Sequence, residues 1–210
     1  MNFLTIDVFL IIVIGMGPVK ALLVYLAATQ GASTELQRKV ARKAILTATV
    51  VGILLLVAGA AFMKILHFSQ GALTVAGGLI LLLLALNMVL SPAKKEEIDA
   101  APDEGALMTL AIYPLGIPLL LNPIGIVALT VFSAEAQTLV DLAVLLGMLL
   151  VVAVLDLGIF AVAHRLDRFL THERILVMEK ALGILLAALA VQLILAGLAD
   201  VGVVTLSGGH

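Results

Sequence analysis

Gly15-Met-Gly-Pro18 and Tyr113-Pro-Leu-Gly-Ile-Pro-Leu-Leu-Leu-Asn-Pro-Ile-Gly125 are the stretches on which the fold turns. Both interrupt long apolar runs. Proline removes an amide donor and collides with the carbonyl four residues back. Glycine lets the backbone leave helical geometry. Each stretch therefore predicts a helix broken near its middle. The apolar runs around them cover 3–28, 44–66, 72–91, 106–133, 139–163 and 175–198. A helix needs about 20 apolar residues to cross the hydrocarbon core. The expectation is an all-α integral membrane protein of six transmembrane helices, with helices 1 and 4 broken near the midplane. The runs are continuously apolar rather than alternating, which speaks against a transmembrane barrel.

Composition points the same way. The 210 residues are 63% hydrophobic and 12% charged, with a mean hydropathy of +1.25. A soluble domain is roughly half apolar and about a quarter charged, and could not hide this much apolar surface. Disorder needs the opposite composition. Six spans of about 22 residues take roughly 130 and leave about 80 for loops and ends; a seventh would leave almost none. The net charge of −2 offers no basis for nucleic-acid binding. The absence of Cys excludes disulfides, Cys-ligated zinc and thiol chemistry. With no Trp and 4% aromatics, the interfacial belt must be thin. No Lys or Arg precedes the first run, unlike a secretory signal peptide, so it reads as a retained first span.

The stretches 30–43, 64–71, 91–104, 134–138 and 164–174 separate the spans. Ten of the 12 Lys and Arg fall on one side: Arg38, Lys39, Arg42, Lys43, Lys94, Lys95, Arg165, Arg168, Arg174 and Lys180. Lys64 lies on the other side and Lys20 inside span one. The positive-inside rule then places both termini outside the cytoplasm of a cell carrying this chain in its cytoplasmic membrane. His67, His164 and His172 read as solvated loop residues.

The chain also repeats at an offset of 105 residues. Pro18 falls on Pro123, and Asn87 on Gln192. Ala76-Gly77-Gly78-Leu79-Ile80-Leu81 falls on Ala181-Leu182-Gly183-Ile184-Leu185-Leu186. Apolar sequences match easily by chance, but a proline and a carboxamide matching at one offset carry more weight. The single transmembrane domain of 1–210 then divides into a three-helix repeat at 1–92, a charged cytoplasmic linker at 93–105, a second repeat at 106–198 and a tail at 199–210. Three is odd, so the second repeat enters the membrane inverted. That architecture recurs in secondary transporters, whose substrate sits at the repeat interface.

In lipid, backbone groups freed by a break are tolerated only against protein or a wet cavity. Amides at half-helix N-termini suit a carboxylate, and freed carbonyls suit an ammonium group or cation. A small zwitterion uses both. Candidate substrate contacts are Gly15, Gly17, Pro18, Lys20, Asn122, Pro123 and Gly125, with Asn87 and Gln192 lining the cavity or bonding between helices. Lys20 and Asp156 lie at similar depths with opposite signs. They either pair, leaving Asp156 to carry a coupling proton, or Lys20 snorkels to the interface and Asp156 faces a vestibule. No catalytic or phosphate-loop motif is present, so neither an enzyme nor a bound cofactor is expected. Only Asp156 offers a carboxylate deep in a span, which disfavours metal export. A stripe of Gly183, Ala187 and Ala190 suits packing within one chain or between copies, leaving a homo-oligomer open.

Gly17-Pro18-Val19-Lys20, Thr74-Val-Ala-Gly-Gly-Leu-Ile80 and Tyr113-Pro-Leu-Gly-Ile-Pro118 with Asn122-Pro-Ile-Gly125 resemble the MarC family of six-span membrane proteins, over nearly the whole chain. The resemblance implies transport of small neutral amino acids such as glycine or alanine, coupled to protons. The chain departs from the family pattern in its first motif. Gly17 replaces a polar residue and Lys20 a glycine, so a fixed charge stands where a bound cation is expected. In the second motif Asn122 stands where glycine is usual. An exporter of another small solute and a non-transporting scaffold are the competing readings.

Overall fold

The computed structural model describes residues 6–90, 103–166 and 172–205; the side chains of 19–20, 164–166, 172–176 and 179 lie outside that description. All regular structure among the described residues is helical: α1 (Ile6–Gly15), α2 (Pro18–Ala28), α3 (Thr34–Leu66), α4 (Gln70–Leu90), α5 (Glu104–Leu110), α6 (Pro123–Glu135), α7 (Leu139–Leu166) and α8 (His172–Asp200). An irregular wide-turn segment, Ala111–Leu120, joins α5 to α6. The α3, α4, α7 and α8 helices are each long and apolar enough to cross a membrane. A fifth crossing results if Glu104–Leu120 and Pro123–Glu135, bent by 68°, form one span. The α1 and α2 helices, at 10 and 11 residues, are each too short to cross alone.

Both expected breaks are present. Helix α1 stops at Gly15, and α2 restarts at Pro18 behind an extended Gly17 (φ −77°, ψ 132°). Proline suits the first helical position, where no amide partner is required. In the other broken run, Tyr113 and Ile117 are extended and Pro114 and Pro118 follow cis peptide bonds. The regular helix returns only at Pro123.

Two boundaries differ from the sequence reading. The basic stretch 30–43 is mostly helix, because the Ser33 hydroxyl accepts from the Leu36 amide at 3.3 Å and no Gly or Pro occurs between Thr34 and Val51. His164 and His172 lie on helical backbone rather than in a loop, and their side chains lie outside the described residues. His67 is a helix terminator: its left-handed backbone (φ 53°) closes α3.

Small residues set how the helices meet. Helices α4 and α8 run antiparallel with glycine facing backbone. A β-carbon at Gly71 would lie 2.7 Å from the Gly197 carbonyl oxygen, and one at Gly78 would lie 2.9 Å from that of Ala190. One at Gly183 would lie 3.2 Å from the Ala85 carbonyl oxygen. Gly183 and Ala190 are thus used within the chain. Helix α3 crosses α6 at Gly59, where a β-carbon would lie 3.0 Å from the Thr130 Cα, and the Ser133 hydroxyl accepts from the Ala60 amide at 3.0 Å. Such close approach maximises dispersion contact, which is what holds helices together where lipid removes the hydrophobic drive. The shared core includes Ile12, Met16, Leu115, Leu120, Leu129 and Leu149.

Candidate functional site

The two breaks meet. A β-carbon on Gly15 would overlap the Cα of Gly125 and lie 2.8 Å from its amide nitrogen, so only glycine backbone fits on both sides. Asn122 bridges the junction. It is the N-cap of α6, and its Oδ1 accepts from the Gly125 amide at 3.1 Å. Its Nδ2 donates to the Ile14 carbonyl at 2.7 Å, and its main-chain amide donates to the Gly15 carbonyl at 2.9 Å. Two α1 carbonyls freed by the first break are therefore satisfied by the second. The structure brings Gly15, Asn122 and Gly125 together, with Gly17, Pro18 and Pro123 adjoining them in the chain. These carbonyls and the Gly125 amide are occupied by protein partners rather than left facing an open gap.

Asp156 belongs to the buried stripe of α7 formed by Leu145, Leu149, Val152, Asp156, Phe160 and Ala163. It is 1% exposed, and its Oδ2 has no hydrogen-bond partner among the described residues. An uncompensated carboxylate in an apolar interior is costly, so this group demands a cation or a proton. The backbone of Lys20 lies in the first turn of α2. Its side chain, and with it the expected Lys20–Asp156 pairing, lies outside the described residues.

Asn87 and Gln192 are not brought to the junction. Both are exposed, on α4 and α8 respectively. The antiparallel register that places Gly78 against Ala190 and Ala85 against Gly183 also sets Asn87 and Gln192 well apart along the helix axes.

Sequence reasoning missed a polar cluster at the end of α2. The Tyr25 hydroxyl donates to the Gln37 carbonyl at 3.0 Å, and the Gln37 side-chain amide donates to the Thr29 carbonyl at 3.1 Å. The Thr29 hydroxyl donates to the Tyr25 carbonyl at 2.8 Å. The Tyr25 ring packs on Phe160 with centroids 5.0 Å apart. The available signal was Tyr25 and Thr29 one turn apart at the end of an apolar run, in a chain with two tyrosines. At the same end, Lys39 bridges Glu35 at 3.4 Å and Glu104 at 3.5 Å, joining the start of α3 to the start of α5.

Glycine-lined helix crossings, broken helices and a predominantly apolar exterior define a multi-pass helical integral membrane protein. The MarC family integral membrane protein model matches residues 1–201, and the chain belongs to that family. A UPF0056 membrane protein of Methanocaldococcus jannaschii is 30% identical over 188 residues, covering 87% of this chain and 90% of the relative. One from Archaeoglobus fulgidus is 26% identical, covering 84% of each chain. One from Aquifex aeolicus is 28% identical, covering 93% of this chain and 92% of the relative. No solved structure matches.

Proposed function

We propose that this chain is a secondary transporter of small neutral amino acids of the glycine and alanine type, coupled to protons and performing no chemistry on its substrate. The observation that carries this reading is the junction of two helix breaks, with Asn122 spanning it. In the closed junction the Ile14 and Gly15 carbonyls accept from Asn122. When the breaks separate, the same carbonyls can accept from a substrate ammonium group. The Asn122 amide can then donate to the substrate carboxylate. Partners are exchanged rather than lost, which keeps opening inexpensive. Asp156, buried and with no partner for its Oδ2 among the described residues, takes the coupling proton.

The proposal includes six crossings, with α1 and α2 together making the first, arranged as two inverted repeats. Pro18 and Pro123 each open a half-helix and are 105 residues apart. The same shift converts the contact of Gly78 with Ala190 into that of Gly183 with Ala85, as a two-fold axis between α4 and α8 requires. The chain is placed in the cytoplasmic membrane, basic stretches inside and both termini outside. The Lys39–Glu104 bridge supports a common side for two of these stretches.

Uptake of labelled glycine and alanine into proteoliposomes, with and without a pH gradient, tests the reading. Saturable, gradient-dependent uptake is expected, and none across a panel of small amino acids overturns it. Asp156→Asn should retain binding and lose the dependence on the gradient. The backbone contact of Gly15 with Gly125 favours one second reading, a non-transporting scaffold in which the junction never opens. Saturable uptake would exclude it.

A further inference from the structure

We propose that Tyr25, Thr29, Gln37 and Phe160 form the closure that seals Asp156 from the end of the bundle carrying the basic stretches. The inference rests on the reading of Asp156 as the coupling carboxyl and adds the element that controls its access. Phe160 lies four residues past Asp156 on the same buried face of α7, about 6 Å further along at 1.5 Å per residue. From there α7 continues past Arg165 to its end at Leu166. Helix α2 ends at Ala28 beside the start of α3, where Tyr25 meets Gln37 and Arg38 and Lys39 follow in the chain. Order along α7 and the Tyr25–Gln37 contact thus set the tilted Tyr25–Phe160 ring pair on the side of Asp156 that leads to Arg165, Arg38 and Lys39.

The stack is held shut by a closed cycle of three hydrogen bonds. Tyr25 donates to Gln37, Gln37 to Thr29 and Thr29 back to Tyr25, at 3.0, 3.1 and 2.8 Å. Tyr25 is 3% exposed, Thr29 0% and Gln37 9%. The cycle ties the last turn of α2 to the first turns of α3, so the ring cannot swing off Phe160 without breaking at least one bond. Neutral polar groups suit this task. They break and reform without the desolvation cost of ions. An inert apolar plug would need no such cycle.

The chain contains no Cys, so a single introduced thiol reports access without interference. Asp156→Cys in proteoliposomes is treated with a membrane-impermeant cationic thiol reagent on the side of the basic stretches. Modification is expected to be slow. Adding Tyr25→Phe, which keeps the ring and removes one bond, should speed it roughly fivefold, the population shift that the loss of one net hydrogen bond produces. Gln37→Leu should do the same and decides the matter alone if Tyr25→Phe fails to fold. Unchanged rates in folded variants overturn the proposal. An equal acceleration at Leu129→Cys, buried on α6, also overturns it by revealing general loosening. The readout needs no substrate, so a failed uptake assay and a failed closure are separate results.

Discussion

Asn122 concentrates three roles in one side chain and its amide: it caps α6, ties that helix to α1 through Ile14, and ties it again through Gly15. Removing a cap costs about 1 kcal/mol, and losing the bond to the Ile14 carbonyl costs about 1 kcal/mol more. Asn122→Ala should therefore lower the unfolding temperature in detergent by several degrees. Asn122→Ser, which can still cap but not reach Ile14, should fall between it and the parent. Asp156 behaves oppositely. Its Oδ2 has no partner to lose among the described residues, so Asp156→Asn should melt no lower than the parent while abolishing gradient dependence. A clear drop in melting temperature would assign the carboxyl a structural partner instead.

At the scale of elements, glycine contacts separate two populations. Gly71, Gly78, Gly183 and Gly197 face backbone or packed side chains across the α4–α8 crossing. Gly147 and Gly158, on α7, face open space. Gly78→Leu forces bulk into a closed interface and should destabilise by about 1–3 kcal/mol. Gly147→Ala removes a poor helix former from an unpacked face and should stabilise by up to about 1 kcal/mol. Thermal unfolding of the purified variants checks both signs. The breaks themselves were legible in the sequence, because Gly17-Pro18 and Asn122-Pro123 state their backbone consequences locally. The α4–α8 register was half legible: the repeat at Gly78 and Gly183 marked the small positions, but which helix each would face depends on tertiary packing. That Asn87 and Gln192 lie on exposed faces was not legible for the same reason. Periodicity assigns a residue to a helix, while the partner helix decides which side of it is inside.

At the scale of the whole molecule, the proposed orientation gathers the basic stretches at one end. In that orientation, a thiol introduced at Gln30, in the turn before α3, should react only with reagent on the cytoplasmic side. One at Gln137, in the turn before α7, should react only with reagent outside. Labelling of both from one side would remove the six-crossing arrangement. Broad class was legible because hydropathy is additive along a chain. The Tyr25–Gln37–Thr29 cycle was not, because it joins two helices through main-chain carbonyls, and carbonyl partners leave no mark in residue types. Nor was the Gly15–Gly125 contact foreseeable as a contact, although both glycines stood among the candidates for the site.

That contact has a mechanical meaning. Where two backbones touch with no side chains between them, nothing soft remains to be compressed or sheared. Helices α1 and α6 cannot slide closer at this level, and Asn122 limits how far they part without exchanging bonds. Until those bonds are exchanged, the easiest relative motion left is rotation about the Gly15–Gly125 point. A contact of this kind is suited to act as a fulcrum, at which small tilts become larger displacements at the far ends of both helices.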